Sequence, residues 1–535
     1  MGIGAVVFGA DAFGGGAQVR SCCAKVVWGV AVGFLCSGDS ALGGQQDILD
    51  NTSMLFRYPC SGKRFMTDDN SRLSADRLRN DPRVAQAKAL LSAALREHSA
   101  PLNEVRPADP QLEKEYATLL GRLTEARGAA PYFPYIASGI GNGPWVELAD
   151  GSVKLDFIGG IGVHGLGHSH MLMLDAAIDG ALEDTVMQGN LQQNRPSIAM
   201  CERLLDLANA GGSDLGHCLL STSGAMANEN ALKIAFHARR PADRIIAFTN
   251  CFAGRSLALA ALTDRPSYRS GLPETILVDY LPFYDPSNPQ QSTQAAVDRL
   301  HELLTRYPGR HAAFWAEPIA GEGGYVPGDP DFFQALLKPI QAAGILTIFD
   351  EVQSFGRTTA PLAYQAFGLD RYVDITTIGK ITQVCATLYR KQLQPTAPIL
   401  SQTFTGSSAS IATGLRMLDQ LADQECFGVD GRNQRNHNHF ASCLQTLAQR
   451  YPGQIQGPYG KGMMIAMTPG DGSYETANRW VRELYAAGLI CFLCGGNPYR
   501  IRFLPPPAIT TTEHIDSAIA IIEQVLQSSS TKASE

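Results

Sequence analysis

Basic residues never gather along this chain. With 44 Lys and Arg against 51 Asp and Glu, a net charge of −7 and a pI near 5.9, it lacks the concentrated positive surface that grips phosphate backbones. That excludes a nucleic-acid platform and leaves a small-molecule substrate as the expectation. Repeated Cys-x-x-Cys spacing is missing as well. The 12 cysteines show no CxxC…CxxC or CxxC…HxxxH arrangement, and several sit in apolar runs such as residues 489–494. Buried, reduced thiols in a reducing, cytoplasmic compartment follow, and no metal site is assigned. No apolar run is long enough for a membrane span, so no stable membrane association is expected. No internal repeat occurs, and low complexity is confined to the Gly-rich first residues and the Ser-rich tail. Core-forming material is abundant instead. Hydrophobic residues make up 45% of the 535 positions, enough to build roughly two to four domains.

The first 65 residues stand apart. Residues 23–37 form a short apolar run after Arg20 and Lys25, the outline of a signal peptide, whereas Met66 opens a polar, helix-like stretch that would make a normal protein start. Residues 1–65 are read as an extension of translated upstream sequence or unstructured chain, with a targeting signal or an anchor as the alternatives. Residues 69–127 are polar with a helical pattern, a buried face at Ala85, Ala89, Leu90, Ala93 and Leu95, and breaks at Pro101, Pro107 and Pro110. Residues 66–195 thus read as an N-terminal arm and part of a small domain. Within it, the alternation over residues 145–157 around Asp150-Gly151 predicts a hairpin, because Asp-Gly supplies the positive φ angles of a tight turn.

Beyond residue 195 short apolar strands at 217–221, 244–248, 275–279, 312–316 and 345–349 alternate with amphipathic helices. Such alternation builds a mostly parallel sheet covered on both faces, with sites at the carboxyl ends of its strands. This large domain is placed at residues 196–423. From residue 424 to 535 the pattern changes to a long helix, a strand at 463–467, a helix at 473–487 and a strand at 500–503. That is a smaller α+β unit.

Four segments carry chemistry. Ser223-Gly224-Ala225 follows a strand and opens a helix, whose free N–H groups suit a phosphate, although an ordinary strand-to-helix turn looks the same. Phe252 follows the next strand, where its ring could stack on a planar cofactor or simply pack in the core. The apolar strand that ends in Asp350-Glu351 leaves a buried charge in need of a partner. A protonated heteroaromatic nitrogen would supply one and become an electron sink, while a helix cap is the plainer use. Gly379-Lys380 ends a further strand and is followed by the uncharged stretch 381–388. That setting depresses an amine pKa, and a neutral amine is what Schiff-base chemistry requires.

Taken in order, these segments resemble the class III (omega) aminotransferases, fold-type I enzymes of pyridoxal 5′-phosphate, over about residues 130–525. Three further stretches strengthen the likeness: residues 162–170, similar to the family's glycine-histidine motif; residues 317–324, Glu-Pro-Ile-Ala-Gly-Glu-Gly-Gly, matching EPIxGEGG; and residues 502–506, Arg-Phe-Leu-Pro-Pro, matching RFxPP. The resemblance implies a large domain with a mostly parallel seven-stranded sheet plus a smaller α+β domain. It implies Lys380 as the Schiff-base lysine and proton shuttle, Asp350 as partner of the pyridine nitrogen, Gln353 as ligand of the ring hydroxyl and Phe252 as the stacking ring. Ser223, Gly224 and Ala225 would hold the phosphate, with Thr403 reaching it from the other subunit of a homodimer. Arg502 would grip the substrate α-carboxylate, beside Glu317 and Glu322. In some members the residue at the position of Glu322 pairs with that arginine when the distal amine reacts.

The sequence also departs from the family pattern. The segment 350–358 is one glycine short, Ala253 replaces a histidine, Gly406 is followed by Ser-Ser-Ala, and Thr382-Gln-Val-Cys385 resembles the corresponding stretch of lysine 6-aminotransferases. The implied reaction is a ping-pong amino transfer from a donor of the lysine, ornithine, acetylornithine or 4-aminobutyrate type to a 2-oxo acid such as 2-oxoglutarate. Another reaction on the same scaffold (aminomutase, racemase or decarboxylase) and a non-catalytic binding protein are the rival readings.

Overall fold

The computed structural model describes residues 73–534. The expected extension, its apolar run and Met66 lie outside the described residues. The arm forms three helices, Ser74–Arg79, Pro82–Ser99 and Glu113–Arg127. Asp81 caps the second by accepting a hydrogen bond from Arg83 N, with Pro82 in the first turn where its missing N–H costs nothing. Gly128, at φ +72, ends the third. The expected buried face is not what docks this arm. Ala85, Ala89, Leu90 and Ala93 are exposed and only Leu95 is half-buried; this helix instead makes an ion pair of Lys88 with Asp179, and the helix before it one of Arg79 with Glu183. Ala and Leu at helical spacing mark a face, but not what covers it.

The hairpin forms as expected. Trp145–Leu148 pairs antiparallel with Val153–Asp156 around Gly151 at φ +78, Ala137–Asn142 adds on the outer side, and Leu489–Ile490 from the C-terminal region joins in parallel.

Seven strands form the central sheet, in the spatial order His217–Ser221, Cys385–Tyr389, Ile375–Ile378, Leu346–Asp350, His311–Ala316, Arg244–Phe248 and Leu277–Leu281. All run parallel except Cys385–Tyr389, which is antiparallel to both neighbours. Side chains alternate between two apolar layers, as strand geometry requires. Ile246, Phe248, Phe314 and Phe349 pack on one face; Ile245, Ala247, Trp315 and Ile348 pack on the other. Both faces are dry, which is why these strands read as unbroken apolar runs. The strand expected at 275–279 lies two residues later, where it sets Asp279 beside Arg244 of its neighbour, with Arg244 Nε 2.6 Å from Asp279 Oδ2.

Residues Ile455–Lys461, Met464–Pro469, Tyr499–Phe503 and Phe492–Gly495 form a separate antiparallel sheet. Helices Arg432–Arg450, Tyr474–Ala487 and Thr512–Ser534 accompany it, around Phe440, Leu444, Ile465, Trp480, Ile501, Phe503 and Ile522. Ile501 and Phe503 enter this core, so the alternation of the strand turns Arg502 to the opposite face. No helix of the described residues is long and apolar enough to cross a membrane.

Candidate active site

The site grows from the carboxyl ends of the parallel strands. After His217–Ser221 the chain turns into the helix Gly224–Arg239, where Ser223 Oγ accepts from Met226 N at 3.2 Å. Ser223 thus serves the helix as its cap. The N–H groups of Gly224 and Ala225 find no acceptor among the described residues. They leave two donors and the positive end of a four-turn helix free for an anion. A Cβ on Gly224 would stand 2.8 Å from Val352 Cγ1, and one on Gly379 would stand 3.2 Å from that same methyl. Val352 therefore fills the space between the phosphate-type turn and the lysine turn.

Asp350 ends its strand 6% exposed. Its Oδ1 accepts from Val352 N at 2.9 Å and its Oδ2 from Asn228 Nδ2 at 2.8 Å, and Asn228 also donates to Ala253 O at 2.6 Å. Burial pushes the carboxyl up to about 6, against those hydrogen bonds and the nearby Lys380. A cation at this point would hold it ionised. Glu351 faces away from it, accepting from Tyr364 N at 2.8 Å and from Ser354 Oγ, so of the two carboxylates only Asp350 is left for chemistry.

Lys380 follows its strand on a short turn at φ +54, a left-handed conformation uncommon for a long side chain and a mark of local constraint. Its amine has no hydrogen-bond partner among the described residues. Burial pulls the amine down to about 8 and Arg502 adds repulsion, while Glu322 and Asp350 work against both. Gln383, also left-handed at φ +62, turns the chain back into the antiparallel strand, and its Nε2 donates to Val163 O at 2.8 Å. The unusual stretch after the lysine thereby fastens the glycine-histidine segment.

Arg502 is fully buried. Its Nη2 stands 2.6 Å from Glu322 Oε1 and its Nη1 donates to Gln353 Oε1 at 3.5 Å. The guanidinium lies 5.6 Å from the Phe492 ring centroid and 5.9 Å from that of Tyr325. Glu322 lies within ion-pair distance but leaves Nε and Nη2 without an aligned hydrogen bond. Burial pulls the guanidinium down, but Glu322 and Tyr325 more than offset it and keep it charged. Glu317 accepts from Phe252 N at 3.0 Å and from Gly321 N at 3.1 Å, and burial next to Asp350 pushes it up to about 8. It therefore fixes the backbone of Phe252, whose half-buried ring meets Tyr268 edge-on at 6.3 Å.

Ten of the eleven anticipated positions thus lie in these connected segments. Thr403 does not: it is exposed on a loop, and no hydrogen bond joins it to residues 223–225. Three side chains at the site were not singled out from sequence, namely Asn228, Val352 and Arg357. The first two stood inside motifs already recognised, and their spacing of four from Gly224 and two from Asp350 was the available signal. Arg357 is 1% exposed and donates to Gly162 O at 2.7 Å and Pro505 O at 3.3 Å, bracing the glycine-histidine and Arg-Phe-Leu-Pro-Pro segments. It too stands inside a recognised segment, 350–358, but nothing local in the sequence marks its side chain as buried.

The donor set fits a planar, phosphorylated, basic heteroaromatic: free N–H groups at a helix start, an underneutralised carboxylate, a depressed amine and unaligned guanidinium donors. Known proteins agree. The description "Aminotransferase class-III" matches residues 127–526. Acetylornithine aminotransferase of Methanocaldococcus jannaschii is 29% identical over 401 residues, 72% of this chain and 92% of its own. 2-Aminoadipate transaminase of Pseudomonas putida is 32% identical over 395 residues, 70% of this chain and 92% of its own. Lysine aminotransferase from M. tuberculosis in the internal aldimine form superposes with a TM-score of 0.66 at 24% identity, covering 76% of this chain and 98% of that one. Ornithine aminotransferase from Toxoplasma gondii gives 0.67 at 22% identity, covering 77% and 95%. The two structural likenesses speak to the fold.

Proposed function

Because this chain belongs to the class-III aminotransferases, enzymes that depend on pyridoxal 5′-phosphate, we propose that it takes the amino group of an amino acid with a terminal amine and delivers it to a 2-oxo acid. Lysine, ornithine, acetylornithine and 4-aminobutyrate define the donor type, and 2-oxoglutarate is the acceptor. The observation that carries this reading is the Arg502–Glu322 pair. A donor reacting through its terminal nitrogen keeps its α-carboxylate far from that nitrogen, so a bare guanidinium beside the reaction would select the wrong end. Glu322 neutralises it. An acceptor such as 2-oxoglutarate carries a carboxylate next to the reacting carbon, and displaces Glu322 to reach Arg502. Acetylornithine, the substrate named for one relative, supports a terminal-amine donor, whereas 2-aminoadipate, named for another, carries its amine beside a carboxylate and fits the α-carboxylate side of the exchange that Arg502 would grip.

When bound, pyridoxal phosphate supplies an electron sink for the bonding pair of the substrate carbon. Asp350 would keep the ring nitrogen protonated, Gln353 would bind the ring hydroxyl, Phe252 would cover a ring face, and Ser223, Gly224 and Ala225 would hold the phosphate. Lys380 would hold the group through its neutral amine and, once released from it, would be the base that moves the proton at the substrate carbon. Glu317 keeps Phe252 in place.

The division into an arm with part of the small domain (66–195), a large cofactor-binding domain (196–423) and a small domain (424–535) belongs to this reading. So does a homodimer in which Thr403 of the partner subunit reaches the phosphate. The loop carrying Thr403 is flanked by Phe404, 56% exposed, and borders Leu191 at 98% and Val186 at 70%, an apolar rim suited to a second copy. Eight unpaired cysteines among the described residues support a reducing, cytoplasmic location. The test is glutamate formation from 2-oxoglutarate with each donor in turn. Terminal-amine donors should yield glutamate, whereas consumption of donor without any amino transfer would overturn the proposal.

A further inference from the structure

Outside the cofactor segments, helices Arg432–Arg450 and Thr512–Ser534 run side by side. Their seam is apolar within, through Phe440, Leu444, Leu447, Ile515, Ala518 and Ile522. At its rim three potential ligand side chains meet. His439 Nε2 lies 2.6 Å from Asp516 Oδ1 and 3.9 Å from Cys443 Sγ, and the three donor atoms all fall within 4.8 Å of one another.

A thiol, an imidazole and a carboxylate can also make a nucleophilic relay. In a relay, however, the imidazole receives the nucleophile's proton on one nitrogen and is held by the carboxylate through the other. Here Cys443 and Asp516 both converge on the same nitrogen, Nε2. One proton there cannot serve both partners, whereas a single cation can take all three. The helix supplies the spacing: His439 and Cys443 are four residues apart, on one face, and Asp516 comes across the seam from the other helix. Sulfur, nitrogen and oxygen ligands at about 2.0–2.3 Å from a common centre are the preference of a borderline divalent ion such as zinc, with solvent as the fourth ligand. The ligand atoms need shift only slightly from their present separations to surround one.

We propose that His439, Cys443 and Asp516 form a surface site for a divalent transition-metal ion of the zinc type, which ties the last helix of the chain to the first helix of the small domain. On binding, the Cys443 S–H bond breaks, the proton leaves to solvent and the sulfur lone pair enters the metal bond; no electron is exchanged. The pairs Asn436 with Thr510 O and Tyr451 with Glu523 already stitch the two helices on either side, so the metal would reinforce an existing seam.

Purified full-length holoenzyme, stripped with chelator, is equilibrated with Zn2+ and desalted, and the retained metal is counted for the wild type, Cys443→Ser and Asp516→Asn. The other cysteines are common to all three proteins, so the difference reads this site. Wild type should retain one zinc more per chain than Cys443→Ser. Groups that merely orient a ligand are worth about 10–100-fold in metal affinity and losing a direct ligand costs no less, so Asp516→Asn should bind at least about tenfold more weakly. At a given concentration, added Zn2+ should raise the thermal midpoint of the wild type more than that of either variant, and Co2+ should give a sulfur-to-metal band in the difference spectrum that Cys443→Ser lacks. All three proteins should share one midpoint in chelator; if Cys443→Ser does not, His439→Asn takes its place. Equal zinc retention by wild type and variants, or no cobalt–sulfur band in the wild type, would overturn the site.

Discussion

Arg502 Nη2 and Glu322 Oε1 stand 2.6 Å apart, the arginine fully buried and the glutamate half-buried, yet the contact leaves part of the guanidinium without an aligned acceptor. The pair is closed enough to hide a charge and open enough to be displaced by a carboxylate. Arg502 owes its direction to Ile501 and Phe503, which fill the apolar core on the other side of the strand.

Glu322→Gln should therefore change selectivity more than rate. With the arginine no longer neutralised, donors that present an α-carboxylate beside the reacting amine gain access. The ratio of kcat/KM for lysine or ornithine over that for glutamate should fall by at least about tenfold, equivalent to roughly 1.4 kcal/mol. An unchanged ratio would remove Glu322 from substrate choice.

Asn228 does not face the substrate, but it donates to Asp350 Oδ2 at 2.8 Å. Hydrogen bonds to charged groups contribute about 1.5–3 kcal/mol. Asn228→Ala should weaken cofactor binding by roughly 10–150-fold, with Asp350 ionising at a still higher pH. Spectroscopic titration of the apoprotein with cofactor measures the loss, and wild-type affinity in the variant would show that Asp350 needs no such support.

The buried carboxyls give the apoprotein a particular pH dependence. Glu317 titrates at an ordinary 4.5 when unfolded and at about 8 when folded, because burial and Asp350 disfavour its charge. The folded state thus binds the extra proton between those values, and the stability this provides is present below about 4.5 and lost as pH rises through 8. Glu351, raised to about 7, and Asp350, raised to about 6, act in the same direction. The midpoint of thermal unfolding of the apoprotein, compared with Glu317→Gln at each pH, should show a wild-type excess decline across that window. A constant difference between the two proteins would contradict the assignment.

How far these features were legible in the sequence depended on whether their cause was local. The strands at 217–221 and 244–248 were read to the residue, because their apolar runs are bounded by turn-forming residues. Cys385–Tyr389 was not read as a strand, since the turn before it is made by a left-handed Gln383 where a glycine would have announced it. The face expected on the arm failed for a different reason. The ion pairs that join the arm to the rest of the chain come from two helices, through Arg79 on the first and Lys88 on the second, and their partners lie about a hundred residues away. At the site the pattern repeats. Lys380, Asp350 and Gly224 announce themselves by standing at strand ends, whereas Arg357 acquires its place only when Gly162 and Pro505 are brought to it.

Lys380 is the point on which the whole account turns, and reductive trapping tests it most directly. Wild type and Lys380→Ala are incubated with pyridoxal phosphate, reduced with borohydride, digested and weighed by mass spectrometry, with visible absorbance followed before reduction. The account predicts the cofactor mass on the peptide containing Lys380 in the wild type, and neither that mass nor the visible band of the attached cofactor in Lys380→Ala. Stoichiometric labelling of another lysine in the wild type, or an undiminished band in the variant, would contradict it.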